Sequence, residues 1–270
     1  MAAPKLGIIA GGGALPGRLA QACRAGGRSY FVLAIEGHAD PGWLADEPHS
    51  WIRLGDGGRG IDCLRAAQVE ELVLAGPVRR PSLTELRPDS WGVRFLARAG
   101  REWIGDDSIL SALIRALEAE GFRVVGADSL LAECVSVAGP YGRLAPDEAA
   151  RRDIARGLEV VRAIGALDIG QAAVIQQGVV LGVEGAEGTD ALIRRCAALR
   201  RDGPGGVLVK ASKPNQERRA DLPAIGSDTV RAAIASRLQG IAVEAGGALV
   251  FDRDELARLA DEAGLFVVGA

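Results

Sequence analysis

Lys5-Leu6-Gly7-Ile8-Ile9-Ala10-Gly11-Gly12-Gly13-Ala14-Leu15-Pro16 opens the chain with an apolar run that breaks into three glycines. Lys5 to Ala10 reads as a buried strand, Gly11 to Pro16 as a turn and Gly17 to Ala25 as a helix. The apolar run recurs at Tyr30 to Ala34, Ser50 to Leu54 and Glu71 to Ala75, with a helix near Gly60 to Gln68 before the last. Strands separated by helices of this length imply a parallel sheet with right-handed crossovers, so the first half is predicted to be Rossmann-like.

Beyond Arg79-Arg80-Pro81 the pattern turns helical. Ser108 to Glu120 places Ile109, Leu110, Leu113, Ile114 and Leu117 on one apolar face, and Phe122 to Gly126 closes this half as a strand. Ala138 to Pro146, with Gly139-Pro140 and Gly142, reads as a linker. The cut gives an N-terminal domain, 1–137, and a C-terminal α/β domain with a mixed sheet, 147–270. The second domain opens on a helix from Asp147 to Ile164 with Asp147 at the N-cap. Ala172 to Ile175 and Val179 to Val183 bracket Gln176-Gln177-Gly178 as a hairpin. Thr189 to Leu199 reads as helix, Gly206 to Lys210 as strand, Thr229 to Leu238 as helix, Ala248 to Phe251 as strand, Glu255 to Ala263 as helix and Leu265 to Val268 as strand.

At 270 residues the chain can bury a sizeable core. Its 32 basic against 35 acidic side chains provide no polyanion-binding field, and 4% aromatic content offers few base-stacking platforms, so nucleic acid is not an expected partner. Cys23, Cys63, Cys134 and Cys196 lack metal-ligand spacing, and His38 and His49 do not complete a site. With no signal-peptide pattern and no membrane-spanning run, the sequence predicts a cytoplasmic protein with reduced cysteines. Docking at a membrane surface stays open.

Chemistry concentrates in a few places. Gly11-Gly12-Gly13 between strand and helix would let a phosphate approach backbone N–H groups, although Pro16 stands where a dinucleotide fingerprint needs glycine. Gly76-Pro77-Val78-Arg79-Arg80-Pro81 follows a strand, at the sheet edge where ligands gather, with two arginines able to fork onto phosphate. Asp168-Ile169-Gly170-Gln171 precedes a strand; its glycine also suits a turn and its glutamine a structural amide. In Glu184-Gly185-Ala186-Glu187-Gly188-Thr189-Asp190, Thr189 suits a helix cap, while Glu187 and Asp190 form a carboxylate pair suited to Mg²⁺ or another hard divalent ion. Lys210 and Lys213 straddle a strand end ahead of Lys213-Pro214-Asn215-Gln216-Glu217-Arg218-Arg219-Ala220-Asp221-Leu222-Pro223. This proline-broken loop presents Lys213, Gln216, Arg218, Arg219 and Asp221, a set suited to a phosphorylated ligand. Two other classes stay open on the residues alone: a nucleotide-binding oxidoreductase or synthetase, and a non-catalytic lipid or nucleotide sensor.

Taken together, Ile8 to Pro16, Asp168 to Gln171, Glu187 to Asp190 and Lys213 to Gly226 resemble the UDP-2,3-diacylglucosamine pyrophosphatase family of lipid A biosynthesis. The form in question has two α/β domains and is unrelated to the calcineurin-like phosphoesterases. The likeness runs nearly end to end. It implies hydrolysis of UDP-2,3-diacylglucosamine to 2,3-diacylglucosamine 1-phosphate (lipid X) and UMP, with water attacking the β-phosphorus and a divalent cation, Mg²⁺, as cofactor. It places the essential acid on Asp221. Glu187, Thr189, Asp190, Lys210, Lys213 and Gln216 would surround the substrate in a cleft between the domains. Gly11, Gly12, Gly13, Gly76, Arg79, Gln171 and Gly188 complete the expected substrate contacts, and Asp221, Asp190 and Glu187 the metal set. Pro77 stands where the likeness leads to a polar residue. Peripheral contact with the inner membrane and a homodimer are further implications.

Overall fold

The run Leu6–Ala10 forms β1 and leads through the three glycines into α1, Leu15–Ala25, with Pro16 in its first turn, where a missing N–H is tolerated. A computed structural model of the chain describes residues 3–79, 86–99, 106–214 and 216–270. Two compact units result: Met1–Leu131 with Glu217–Asp221, and Ala132–Gln216 with Leu222–Ala270.

The first unit continues with β2 (Tyr30–Ile35), β3 (His49–Ile52), α2 (Gly57–Ala66), β4 (Glu71–Ala75), α3 (Ser90–Ala99), α4 (Asp106–Ala119), β5 (Arg123–Val124) and α5 (Ala127–Leu130). Its strands are all parallel, in the order β3-β2-β1-β4-β5. Leu72 and Leu74, two residues apart and so on one face, pack with Ile61 and Leu64 of α2 and Ile114 and Leu117 of α4. The strand order reverses direction between β1 and β4, which makes the carboxyl ends of these two strands the topological switch point.

In the second unit, β6 (Gly139–Pro140) precedes α6 (Glu148–Ala166), β7 (Ala172–Gln176), β8 (Val179–Val183), α7 (Thr189–Cys196) and β9 (Val207–Lys210). Then come β10 (Ala224–Ile225), α8 (Ser227–Ala235), β11 (Gly240–Val243), β12 (Leu249–Val250), α9 (Arg253–Ala263) and β13 (Phe266–Gly269). The main sheet runs β6-β13-β11-β9-β7-β8 and is mixed, because β7 is antiparallel to both β9 and β8, and β6 to β13. A parallel pair, β10 with β12, lies apart. Val174, Leu208, Ile241 and Val267 pack with Leu192, Val230 and Leu256 from α7, α8 and α9, while Val207, Val209 and Val268 pack with Ala150 and Ile154 of α6. Asp147 caps α6, accepting the Ala150 N–H at 2.7 Å. The Gln177-Gly178 turn of the β7–β8 hairpin is anchored from α6, whose buried Asp153 accepts the N–H groups of Gln177 (2.9 Å) and Gly178 (2.7 Å).

Several features depart from the sequence reading, among them β6, β11 and the short elements Ala127–Leu130 and Ala224–Ile225. Gly139-Pro140, expected inside the linker, is an edge strand on β13, and Tyr141 N–H continues the pairing to the Val267 carbonyl at 2.9 Å. An edge position suits proline, which lacks one ladder donor. The centrally placed β11, four residues long and wholly buried, has no counterpart in the expected elements. Among the described residues no helix is long and apolar enough to cross a membrane.

Candidate active site

In the first unit the switch point brings Gly11, Gly12 and Gly13 beside Gly76. Gly11 N–H donates to the Ala75 carbonyl (2.8 Å) and Gly12 N–H to the Pro77 carbonyl (2.9 Å). Gly76 has φ +83°, and a Cβ there would sit 2.0 Å from the Gly12 carbonyl oxygen. Close packing of two loops is thus one physical reason for these glycines, and the Gly11 and Gly12 N–H groups are committed to backbone rather than offered to a ligand. Gly13 is exposed, and α1 starts without a side-chain cap. Arg79 is exposed at the end of the β4 loop, whereas its neighbour Arg80 lies outside the described residues.

Glu217–Asp221 belongs to this unit although it is remote in sequence. Ala220 packs against the core formed by Leu117 and Phe122. Arg219 grips Glu217 (2.9 and 3.0 Å) and Glu118 of α4 (2.7 Å), and Arg218 stands 3.7 Å from Asp128. The Arg219 hydrogen bonds lower the Glu217 carboxyl below its ordinary value, while those from Glu217 and Glu118 raise the guanidinium. Arg219, one of the set the sequence offers to a phosphorylated ligand, thus also anchors this turn, with its charge balanced by Glu217 and Glu118. Asp221 closes this short turn, its N–H bonded to the Glu217 carbonyl at 3.2 Å, and its residue is exposed.

In the second unit the candidate residues collect at one edge of the sheet. Lys210 ends β9, registered against Ala172 at the start of β7 and Val243 at the end of β11. Its side chain is buried, and Nζ donates to Thr189 Oγ1 (3.0 Å) and the Ala224 carbonyl (3.1 Å). Thr189 Oγ1 donates to Glu184 Oε1 (2.6 Å), and Glu184 Oε2 accepts the Gln171 N–H (2.9 Å). Gly170 is glycine of necessity, because a Cβ would meet the Glu184 carbonyl oxygen at 2.2 Å. Gln171 Oε1 is buried with no hydrogen-bond partner among the described residues.

Beside this chain, Lys213 pairs with Asp168, and its N–H donates to Gln216 Oε1 (3.0 Å) while Gln216 N–H returns to the Lys213 carbonyl (3.1 Å). Asn215 lies outside the described residues. Glu244, after β11, accepts Ser212 N–H (3.1 Å) and Oγ–H (2.6 Å) and holds the loop's start. Burial pushes the Glu244 carboxyl up, but the bonds from Ser212 and Arg162 outweigh it and leave the group below the ordinary range.

Thr189 does not cap α7. Gly188, at φ +81°, takes the cap position, and the threonine hydroxyl is drawn into the side-chain chain instead. Glu187 is held by Arg195 (2.7 Å), which lowers its carboxyl, so ligating a metal would require it to leave a cation. Asp190 is exposed on the first turn of α7. Among the described residues no three or more His, Cys, Asp or Glu gather as ion ligands. The donors to be tested are therefore single carboxylates. Mg²⁺ keeps several waters and takes one or two carboxylates plus substrate phosphate oxygens; in this unit Asp190 is exposed, while Glu187 would first have to leave Arg195.

Residues 5–134 match the domain described as the LpxI N-terminal domain, and residues 137–268 that described as the LpxI C-terminal domain. The chain belongs to the LpxI family. The UDP-2,3-diacylglucosamine pyrophosphatase LpxI of Caulobacter vibrioides is 43% identical over 274 residues, covering 98% of this chain and 97% of that relative. The resemblance carried by the glycine turn and the Lys213 to Gly226 run is thereby borne out, over both domains. Glu184, which joins Gln171 to Thr189, does not stand out in the sequence. It lies in the quoted Glu184 to Asp190 stretch, yet nothing in the sequence separates a glutamate that turns inward at a strand end from Glu187, which turns out.

Proposed function

We propose that this chain hydrolyses the diphosphate of UDP-2,3-diacylglucosamine to 2,3-diacylglucosamine 1-phosphate and UMP. The observation that carries this reading is the 43% identity, spread over 98% of the chain, to a UDP-2,3-diacylglucosamine pyrophosphatase. In the proposed reaction a water oxygen bonds to the β-phosphorus, the bond from that phosphorus to the bridging oxygen breaks, and UMP leaves with the bridging oxygen. Charge balance and orientation then dominate the rate gain. Lys210, held by Thr189 and Ala224, supplies a fixed positive charge. Lys213 meets a substrate phosphate in competition with Asp168. Asp221 either takes the proton released by the attacking water or holds the cation; Asp190 is a second carboxylate for it. A bound Mg²⁺ would neutralise phosphate oxygens and polarise phosphorus.

Turnover in ¹⁸O-water tests the reading: label is expected in the sugar phosphate, label in UMP moves attack to the other phosphorus, and no turnover rejects the activity. EDTA should abolish turnover and added Mg²⁺ restore it. Asp221→Ala should lose at least about 10²-fold in kcat with unchanged thermal unfolding, and near-normal activity rejects its role. The two acyl chains of the substrate support peripheral contact with a membrane, which vesicle co-sedimentation measures. Sedimentation equilibrium tests the homodimer.

A further inference from the structure

Glu184 is a buried acid directly after the edge strand β8, and each of its oxygens accepts a hydrogen bond. One accepts the Gln171 backbone N–H and the other the Thr189 hydroxyl proton. A hydroxyl has one proton, so donation to Glu184 turns the threonine's lone pairs toward other donors. Lys210 Nζ, also buried, fills one of them at 3.0 Å. The direction of the chain follows without choice: ammonium to hydroxyl, hydroxyl to carboxylate. It joins three segments, the β8–α7 connection, the first turn of α7 and the end of β9. Buried opposite charges persist when they are paired and hydrogen-bonded, and here Lys210 Nζ makes two such bonds and each Glu184 oxygen accepts one.

We propose that Glu184 is a positioning residue which, through the Thr189 hydroxyl, fixes the place and donor direction of the Lys210 ammonium toward the substrate diphosphate. The inference rests on the pyrophosphatase reading for its catalytic consequence, and on this side-chain geometry alone for the ordering of Lys210. Glu184→Gln keeps the volume but replaces one acceptor by an NH₂ donor. The Gln171 N–H and the Thr189 hydroxyl then compete for one oxygen, and the negative charge is gone. A staple with no part in the reaction would alter only the folded fraction, leaving kcat per folded molecule and KM as they were.

The test combines a kinetic cycle with a substrate-free readout. Per folded molecule, Glu184→Gln is expected to lower kcat by roughly 10²-fold with little change in KM. Thr189→Val should do the same, and the double variant should be no worse than Thr189→Val within about twofold, because both break one chain. Additive losses, or an unchanged kcat in Glu184→Gln, overturn the proposal. In ¹H–¹⁵N spectra of the free enzyme, a hydrogen-bonded Lys210 ammonium resonance is expected in the wild type and should vanish in either single variant. Its persistence in both overturns the ordering role. If Glu184→Gln does not fold, Thr189→Val decides by the same two readouts. If the wild type leaves the substrate intact, the pyrophosphatase reading fails while the ammonium resonance still decides whether Glu184 orders Lys210.

Discussion

Glu187 and Glu184 are three residues apart and chemically identical, yet one meets solvent and Arg195 while the other is buried against a hydroxyl. Exposed ion pairs contribute little to stability. Glu187→Ala should accordingly leave the unfolding temperature unchanged by calorimetry, and a large loss of kcat in that variant would place Glu187 on the substrate. Tyr30 shows the opposite regime. Burial, then the hydrogen bond to Glu47, raises its phenol from 10.0 to about 12. A raised folded value means stability that is complete below the unfolded value and lost as pH climbs through the folded one. Denaturant titrations should therefore show stability falling between pH 10.0 and about 12, with that part of the fall absent in Tyr30→Phe. Neither contrast is written in residue type. Burial decides both.

At the level of elements, the β1–turn–α1 unit and the β7–β8 hairpin were legible because each depends on neighbours in sequence: an apolar run, glycines, then a helix, or two apolar runs around Gln177-Gly178. What anchors the hairpin was not legible, since Asp153 reaches its turn from α6. Removing that carboxylate leaves two N–H groups without their acceptor in a part-buried turn, at a cost of about 1–3 kcal/mol. Asp153→Ala should show that loss in urea unfolding while kcat per folded molecule is kept. The strand β6 is not legible because Gly139-Pro140 has the composition of a link, and only its partner β13, far along the chain, makes it a strand. The strand β11 is not legible because four residues buried on both faces carry no alternation. Thr189 had the position of a cap and became part of a relay, for a lone hydroxyl goes to the strongest acceptor it can reach, here the Glu184 carboxylate.

For the whole molecule, the segment Glu217–Asp221 matters most, because its contacts belong to the first unit while its neighbours in the chain on both sides belong to the second. Arg219 is its main anchor. Arg219→Ala should lower kcat with little effect on global unfolding, as the turn that carries Asp221 loses its hold; amide hydrogen exchange at Ala220 and Asp221 should quicken in parallel, and unchanged exchange would reject the anchoring role. By itself the sequence determined the fold class and the family, along with the residues worth testing, because parallel-sheet periodicity and a dense loop motif are local patterns that survive without coordinates. Only the folded chain decides which of those residues are already paired, that Arg219 bridges Glu217 and Glu118, that two glycine N–H groups answer to backbone, and that Glu184 accepts from the Thr189 hydroxyl that Lys210 donates to. Partners of this kind come from segments 5 to over 100 residues apart, and the choice among competing partners is made by burial and distance, which exist only once the chain has folded.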